Sequence, residues 1–172
     1  MTTLPDIRDR IRKDLHDTTE ERWTDAQLDR HIERALRDLT LSIPREGSAL
    51  IATTDGDRDI DIGDIAGLVE IEAVEYPAGR FPPEYVRYSR WENTLTLHSD
   101  GEPDGSDAKV YFTGTHTLDD DGTTLPAALE DILATGAGAY AAIELASHST
   151  DRLNTGGGEV AERYASWGRA AM

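Results

Sequence analysis

The sequence predicts an α+β fold: a helical core of two N-terminal helices, one long helix in the C-terminal half and a short C-terminal helix, with an inserted antiparallel β-sheet or sandwich. Three patterns carry that expectation. Leu28, Ile32, Ala35, Leu36 and Leu39 recur with the 3.6-residue period of an amphipathic helix. Leu68 to Tyr76 alternates for nine residues, as a half-buried strand does. After Leu125-Pro126 the spacing becomes helical again, through Leu129, Ile132, Leu133, Tyr140, Ile143 and Leu145.

Taken in order, Ile7, Ile11 and Leu15 follow Pro5 and predict a first helix over 4–16. His16 to Arg22 reads as a polar connector. A second helix is expected over 24–42, and its start is written clearly. Thr24 and Gln27 form a capping box, and Trp23 before the cap with Leu28 inside the helix forms a hydrophobic staple. Pro44 stops it. Ala49 to Ala52 and Asp59 to Ile62, around Asp55-Gly56-Asp57, read as a hairpin. Tyr85 to Trp91 and Thr94 to His98 read as two more strands around Glu92-Asn93, and Lys109 to His116 as the last. The β-rich insertion thus spans about 48–117 inside a single domain of residues 1–155, with a sheet of about five or six strands. A helix over 125–150 follows. Its centre, Ala134 to Ala139, is unusually small, and each interior Gly weakens a helix by roughly 1 kcal/mol relative to Ala. Close approach by another helix or subunit at Gly136, Gly138, Ala139 and Ala142 is the expected compensation. Gly156-Gly157-Gly158 then tethers an arm, 156–172, whose Val160, Tyr164 and Trp167 share one helical face; the arm either folds back on its own domain or offers these anchors for docking on a neighbouring subunit or the portal.

Composition narrows the function. The chain carries 34 acidic residues against 17 basic ones, a formal charge of −17, and only Lys13 and Lys109 are lysines. Acid spread over the whole chain, with Asp favoured, fits a cell of high salt, where screening relieves the self-repulsion of a compact acidic fold; an ordinary acidic protein is the plainer alternative. No broad basic surface exists for gripping nucleic acid. There is no cysteine, hence no disulfide or thiolate site. No apolar run approaches the roughly 18 residues of a membrane span, and the N-terminus lacks a signal-peptide pattern, so a protein made and kept in a cytoplasm is expected.

Catalytic, cofactor and metal sites are not expected. Asp55, Asp57, Asp59, Asp61 and Asp64 are spaced like a calcium loop, but Ile60 stands where its bending Gly belongs and Ala66 where its bidentate Glu belongs. His16, His31, His98, His116 and His148 lack paired zinc spacing. The Gly-rich stretches follow no strand and lack a P-loop lysine, and no nucleophile-elbow pattern is present.

The short first helix, then Trp23-Thr24-Asp25-Ala26-Gln27-Leu28 with Ala35-Leu36-Arg37-Asp38-Leu39, resembles the head-to-tail adaptor (connector) proteins of tailed viruses. Those typically open with a W-[ST]-[DE]-x-x-L helix whose next turns carry an Ala and a closing aspartate. The resemblance extends to Leu125-Pro126-Ala127-Ala128-Leu129, to the helix Gly136 to Ala142 and to the C-terminal segment with Tyr164. It implies a structural virion protein without catalytic residues, assembled as a ring, commonly twelvefold, beneath the portal of the DNA-filled head. Such a homo-oligomer extends the DNA channel, through which DNA passes without sequence-specific binding, and presents a platform to the tail or a stopper protein; its C-terminal arm reaches the portal. With the acidic composition, the resemblance points to a tailed virus of a halophilic archaeon, assembly in the host cytoplasm and residence at the head–tail interface. The β-rich middle matches the larger adaptors in position alone. Two alternatives stand beside this reading: another ring-forming tail-completion or stopper protein, and a halophilic cellular ligand-binding domain or enzyme.

Overall fold

Thr24 and Gln27 close the start of the second helix as the sequence implies: Gln27 Oε1 accepts from Thr24 N at 2.9 Å, and Thr24 Oγ1 accepts from Gln27 N at 3.4 Å. In the computed structural model, which describes residues 2–150 and 158–171 except the side chains of 148–150, 158–161, 164 and 171, ten elements follow one another. They are α1 (Leu4–Asp14), α2 (Asp25–Ser42), β1 (Arg45–Ile51), β2 (Asp59–Asp61), β3 (Leu68–Glu75), β4 (Arg87–Trp91), β5 (Thr94–His98), β6 (Ala108–Gly114), α3 (Ala127–Thr150) and α4 (Gly158–Ala171). The fold is α+β, with four helices and two antiparallel three-stranded sheets. The chain divides into a helical unit, Met1–Ile43 with His116–Met172, and a β unit, Pro44–Thr115.

In the helical unit, Ile7, Ile11, Leu28, Ile32, Leu133, Ala137 and Ala141 are nearly or wholly inaccessible and share one core with Trp23 and Leu125. Trp23 and Leu28 thus enter the same core, as the staple requires. α1 is fastened to α2 by Arg8, whose Nε and Nη2 reach the two oxygens of Asp29 at 2.6 and 2.9 Å. A bidentate pair of this kind fixes orientation as well as distance.

The connector after α1 is more ordered than its polar sequence suggests. Arg12 and Asp17 are both buried. Arg12 donates to Trp23 O at 3.0 Å and to Asp25 Oδ1 at 2.6 Å. Asp17 accepts from the backbone N–H groups of Glu21, Arg22 and Trp23, each at 3.1 Å to its nearer oxygen. His16 and Glu20 take positive φ there, so the chain turns sharply twice. A buried charge is tolerated when partners surround it in this way.

In the β unit the sheets run β1-β6-β3 and β2-β5-β4. This corrects the expected hairpin between Ala49–Ala52 and Asp59–Ile62. β1 pairs with β6, Arg45 opposite Gly114 through Ile51 opposite Ala108, whereas β2 pairs with β5, Ile60 opposite Leu95. The reason is ladder length: all seven residues of β1 find antiparallel partners along β6, from Ala108 to Gly114, whereas β2 offers three. Gly47 faces Phe112, where a Cβ would come within 2.8 Å of the ring, so β1 needs glycine at that position. Leu95 and Leu97 of β5 meet Ile60, Ile62, Ile71 and Val74 in the core of this unit. The β4–β5 hairpin turns at Glu92-Asn93 as expected, Trp91 opposite Thr94, with Glu92 at positive φ.

Candidate interaction surfaces

α3 is the helix against which the other three are arranged, and its small residues make that possible. A Cβ at Gly136 would lie 3.6 Å from Ala35 Cβ of α2. At Gly138 it would meet Trp167 Cη2 of α4 at 3.5 Å and Ile11 Cγ2 of α1 at 3.9 Å. Ala139 and Ala142 are fully buried. Their close neighbours therefore belong to the same chain. α4 adds its own small residue: at Gly168 a Cβ would stand 3.0 Å from Ala139 O and 2.7 Å from Ile143 Cγ1. Of the arm's expected anchors, Trp167 is partly exposed and touches the Gly138 position; the side chains of Val160 and Tyr164 lie outside the described residues.

Two clefts open between α2 and α3. One, about 510 Å³ in volume, has Ala35, Leu39, Leu133 and Gly136 in its walls, with Asp38 and Asp131 at the edge. Ile132 beside it is half exposed, and Leu41 on α2 is 83% exposed. Tyr140 OH donates to Asp38, and that hydrogen bond with the carboxylate raises the phenol's pKa. Arg10 binds Asp131 at 2.7 Å.

The other cleft, about 710 Å³, is lined by Trp23, Gln27, His31, Arg34, Tyr140 and Glu144 among others. Arg34 stacks over the Tyr140 ring at 3.9 Å. Arg30 pairs with Glu144. His31 is buried, and burial lowers its pKa despite the opposing pull of Glu144, with Arg30 and Arg34 acting in the same direction as burial. Glu144 Oε2 lies 3.1 Å from His31 Nε2, yet among the described residues that nitrogen has no hydrogen bond. Proximity without alignment, to an imidazole kept neutral, is not an ion pair.

His116 has a defined structural place. Its Nε2 lies 3.0 Å from Ile43 O and its backbone N–H donates to Thr40 Oγ1 at 3.3 Å. Because a carbonyl only accepts, Nε2 carries the proton, and Nδ1 is left to accept from Thr124 Oγ1 at 3.4 Å. The points where the chain leaves and re-enters the helical unit are thereby tied together.

In the β unit, Phe81, Trp91 and Tyr85 are exposed, Phe81 almost completely. The acidic stretch Asp57 to Asp61 is occupied with turns and a strand: Asp57 accepts from Asp59 N at 3.0 Å, Asp61 from Gly63 N at 2.8 Å, and Asp59 from Thr96 Oγ1 at 2.5 Å. Among the described residues no three His, Asp or Glu side chains are grouped to hold a metal ion, and no helix is long and apolar enough to cross a membrane. Glu75, which the sequence reading passed over, is buried; Gly79 N–H and the Tyr111 hydroxyl hold its carboxyl below the usual range. Its place in an acid-rich alternating strand gave no signal of that role.

No protein-family model and no curated protein matches the chain.

Proposed function

We propose that the chain is the subunit of a ring, of the order common among head-to-tail adaptors, that joins the portal of a DNA-filled head to the tail in a tailed virus of a halophilic host. In this reading it extends the DNA channel without reading base sequence, and meets a tail or stopper protein on its far side. The observation that carries the proposal is the open apolar groove of about 510 Å³ between α2 and α3, lined by Ala35, Leu39 and Leu133 and edged by half-exposed Ile132. An apolar groove open to solvent marks an interaction surface, and a second helical surface laid alongside would cover it. The Thr24–Gln27 capped helix and the close-packed α3, which carry the resemblance, supply rigid elements for such a contact. Since a cyclic contact is heterologous, it must close or it yields filaments.

The test is the mass of the assembled species in molar salt, by sedimentation, alone and with a candidate portal protein. A closed multiple of the 18.9 kDa subunit that joins the portal is expected. A monomer that ignores the portal would overturn the proposal, and a ring that binds only tail-side proteins would favour a stopper or tail-completion role.

A further inference from the structure

We infer that the larger cleft between α2 and α3 is a binding site for a small organic anion, a carboxylate carried on an apolar body. At about 710 Å³ its volume lies within the range of small-molecule sites. Among the described residues its charged lining is cationic in a chain of net charge −17: Arg22 and Arg34 face it, and its one carboxylate, Glu144, is already engaged by Arg30. Trp23 and the Tyr140 ring give it aromatic walls. The second, independent sign is His31. Only 5% of this residue is exposed, it lines the cleft, and among the described residues its Nε2 has no hydrogen bond. A buried polar atom left unmatched is destabilising, so a ligand oxygen that reaches it gains what the free protein lacks.

The chemistry of the ligand follows from the lining. A carboxylate suits the Arg34 guanidinium, which has no carboxylate partner among the described residues and is pre-oriented by its stack on Tyr140. With the proton on Nε2, neutral His31 donates to a second oxygen once the half-exposed Glu144 side chain turns fully toward Arg30. A ring or aliphatic body then lies against Trp23. Inorganic phosphate would leave those walls uncovered, and a cation would meet the arginines.

Isothermal titration of the full chain with benzoate, inorganic phosphate and benzylamine, in the salt that keeps it folded, tests this. Saturable one-to-one binding of benzoate is expected, at least tenfold tighter than that of phosphate, with none for benzylamine. Arg34→Gln should weaken benzoate at least tenfold, while Arg37→Gln, on the outward side of α2, should leave it unchanged. If Arg34→Gln disturbs folding, the His31 ring resonances of the unaltered chain provide the second measurement: benzoate should shift them. Absence of both saturable heat and a shift, equal binding by a folded Arg34→Gln variant, or equal binding of benzylamine would each overturn the inference. None of these outcomes depends on ring assembly.

Discussion

At Gly138 a single missing side chain lets three helices meet, since Ile11 and Trp167 both stand at van der Waals distance from the Cβ that is not there. Gly138→Leu is therefore expected to lower stability by about 1–3 kcal/mol through overpacking, read as a fall in melting temperature. An unchanged melting temperature would show that α1 and α4 do not press on this position. Tyr76 makes a comparable case in the β unit. Its buried hydroxyl donates to Asp104 Oδ1 and accepts from Asp104 N, both at 2.8 Å. Tyr76→Phe removes both bonds and should cost about 1 kcal/mol. Asp104 itself is held at about 2, below its ordinary 3.8, first by Ser106 and then by Tyr76. Because the folded value is the lower one, its contribution is complete above about pH 4 and is lost as pH falls through about 2. Acid titration of the β unit should show that loss, and Asp104→Asn should flatten it.

The capping box sets the start of α2, and its two hydrogen bonds are unequal. The 2.9 Å bond to Gln27 Oε1 has good length, whereas the 3.4 Å bond to Thr24 Oγ1 is long. Thr24→Ala and Gln27→Ala should each cost about 0.5–1 kcal/mol, at the lower end of measured caps. Their double mutant should cost less than the sum, because either change alone already breaks the reciprocal arrangement. Equilibrium denaturation of the unaltered chain and the three variants measures the coupling, and strict additivity would argue that the two side chains act independently. α4 supplies the other test among the elements. It packs so closely on buried Ala139 of α3 that its own Gly168 has no room for a side chain. Deleting residues 156–172 should therefore destabilise the helical unit; a truncated chain that melts as the whole does, yet fails to join portal-bearing heads, would assign α4 to docking instead.

At the scale of the whole molecule, charge dominates. Chains of formal charge −17 repel one another, and the Debye length falls from about 30 Å at 0.01 M salt to about 3 Å at 1 M. Folding and assembly should both weaken as salt is removed, which sedimentation and melting curves at molar and millimolar salt can follow. Equal stability and equal mass at both would argue against a high-salt origin.

The sequence alone determined what depends on neighbours along the chain. The α2 cap and staple, the strand from Leu68, the Glu92-Asn93 turn and the small centre of α3 were all legible, because capping, alternation and helical period act over a few residues. Tertiary structure decided what depends on distant partners. Leu50 stands between Ala49 and Ile51, and Ile60 between Asp59 and Asp61, whichever strand pairs with them, so local pattern could not show that β1 joins β6 and β2 joins β5. Arg12 and Asp17 look like surface charges until Trp23 O, Asp25 and three backbone N–H groups surround them. His31 follows one helical period with its neighbours, but only packing against α3 buries its ring and leaves Nε2 without a hydrogen bond among the described residues. Burial and hydrogen-bond partnership are properties of the assembled surroundings, and a residue's local sequence context holds only part of that information.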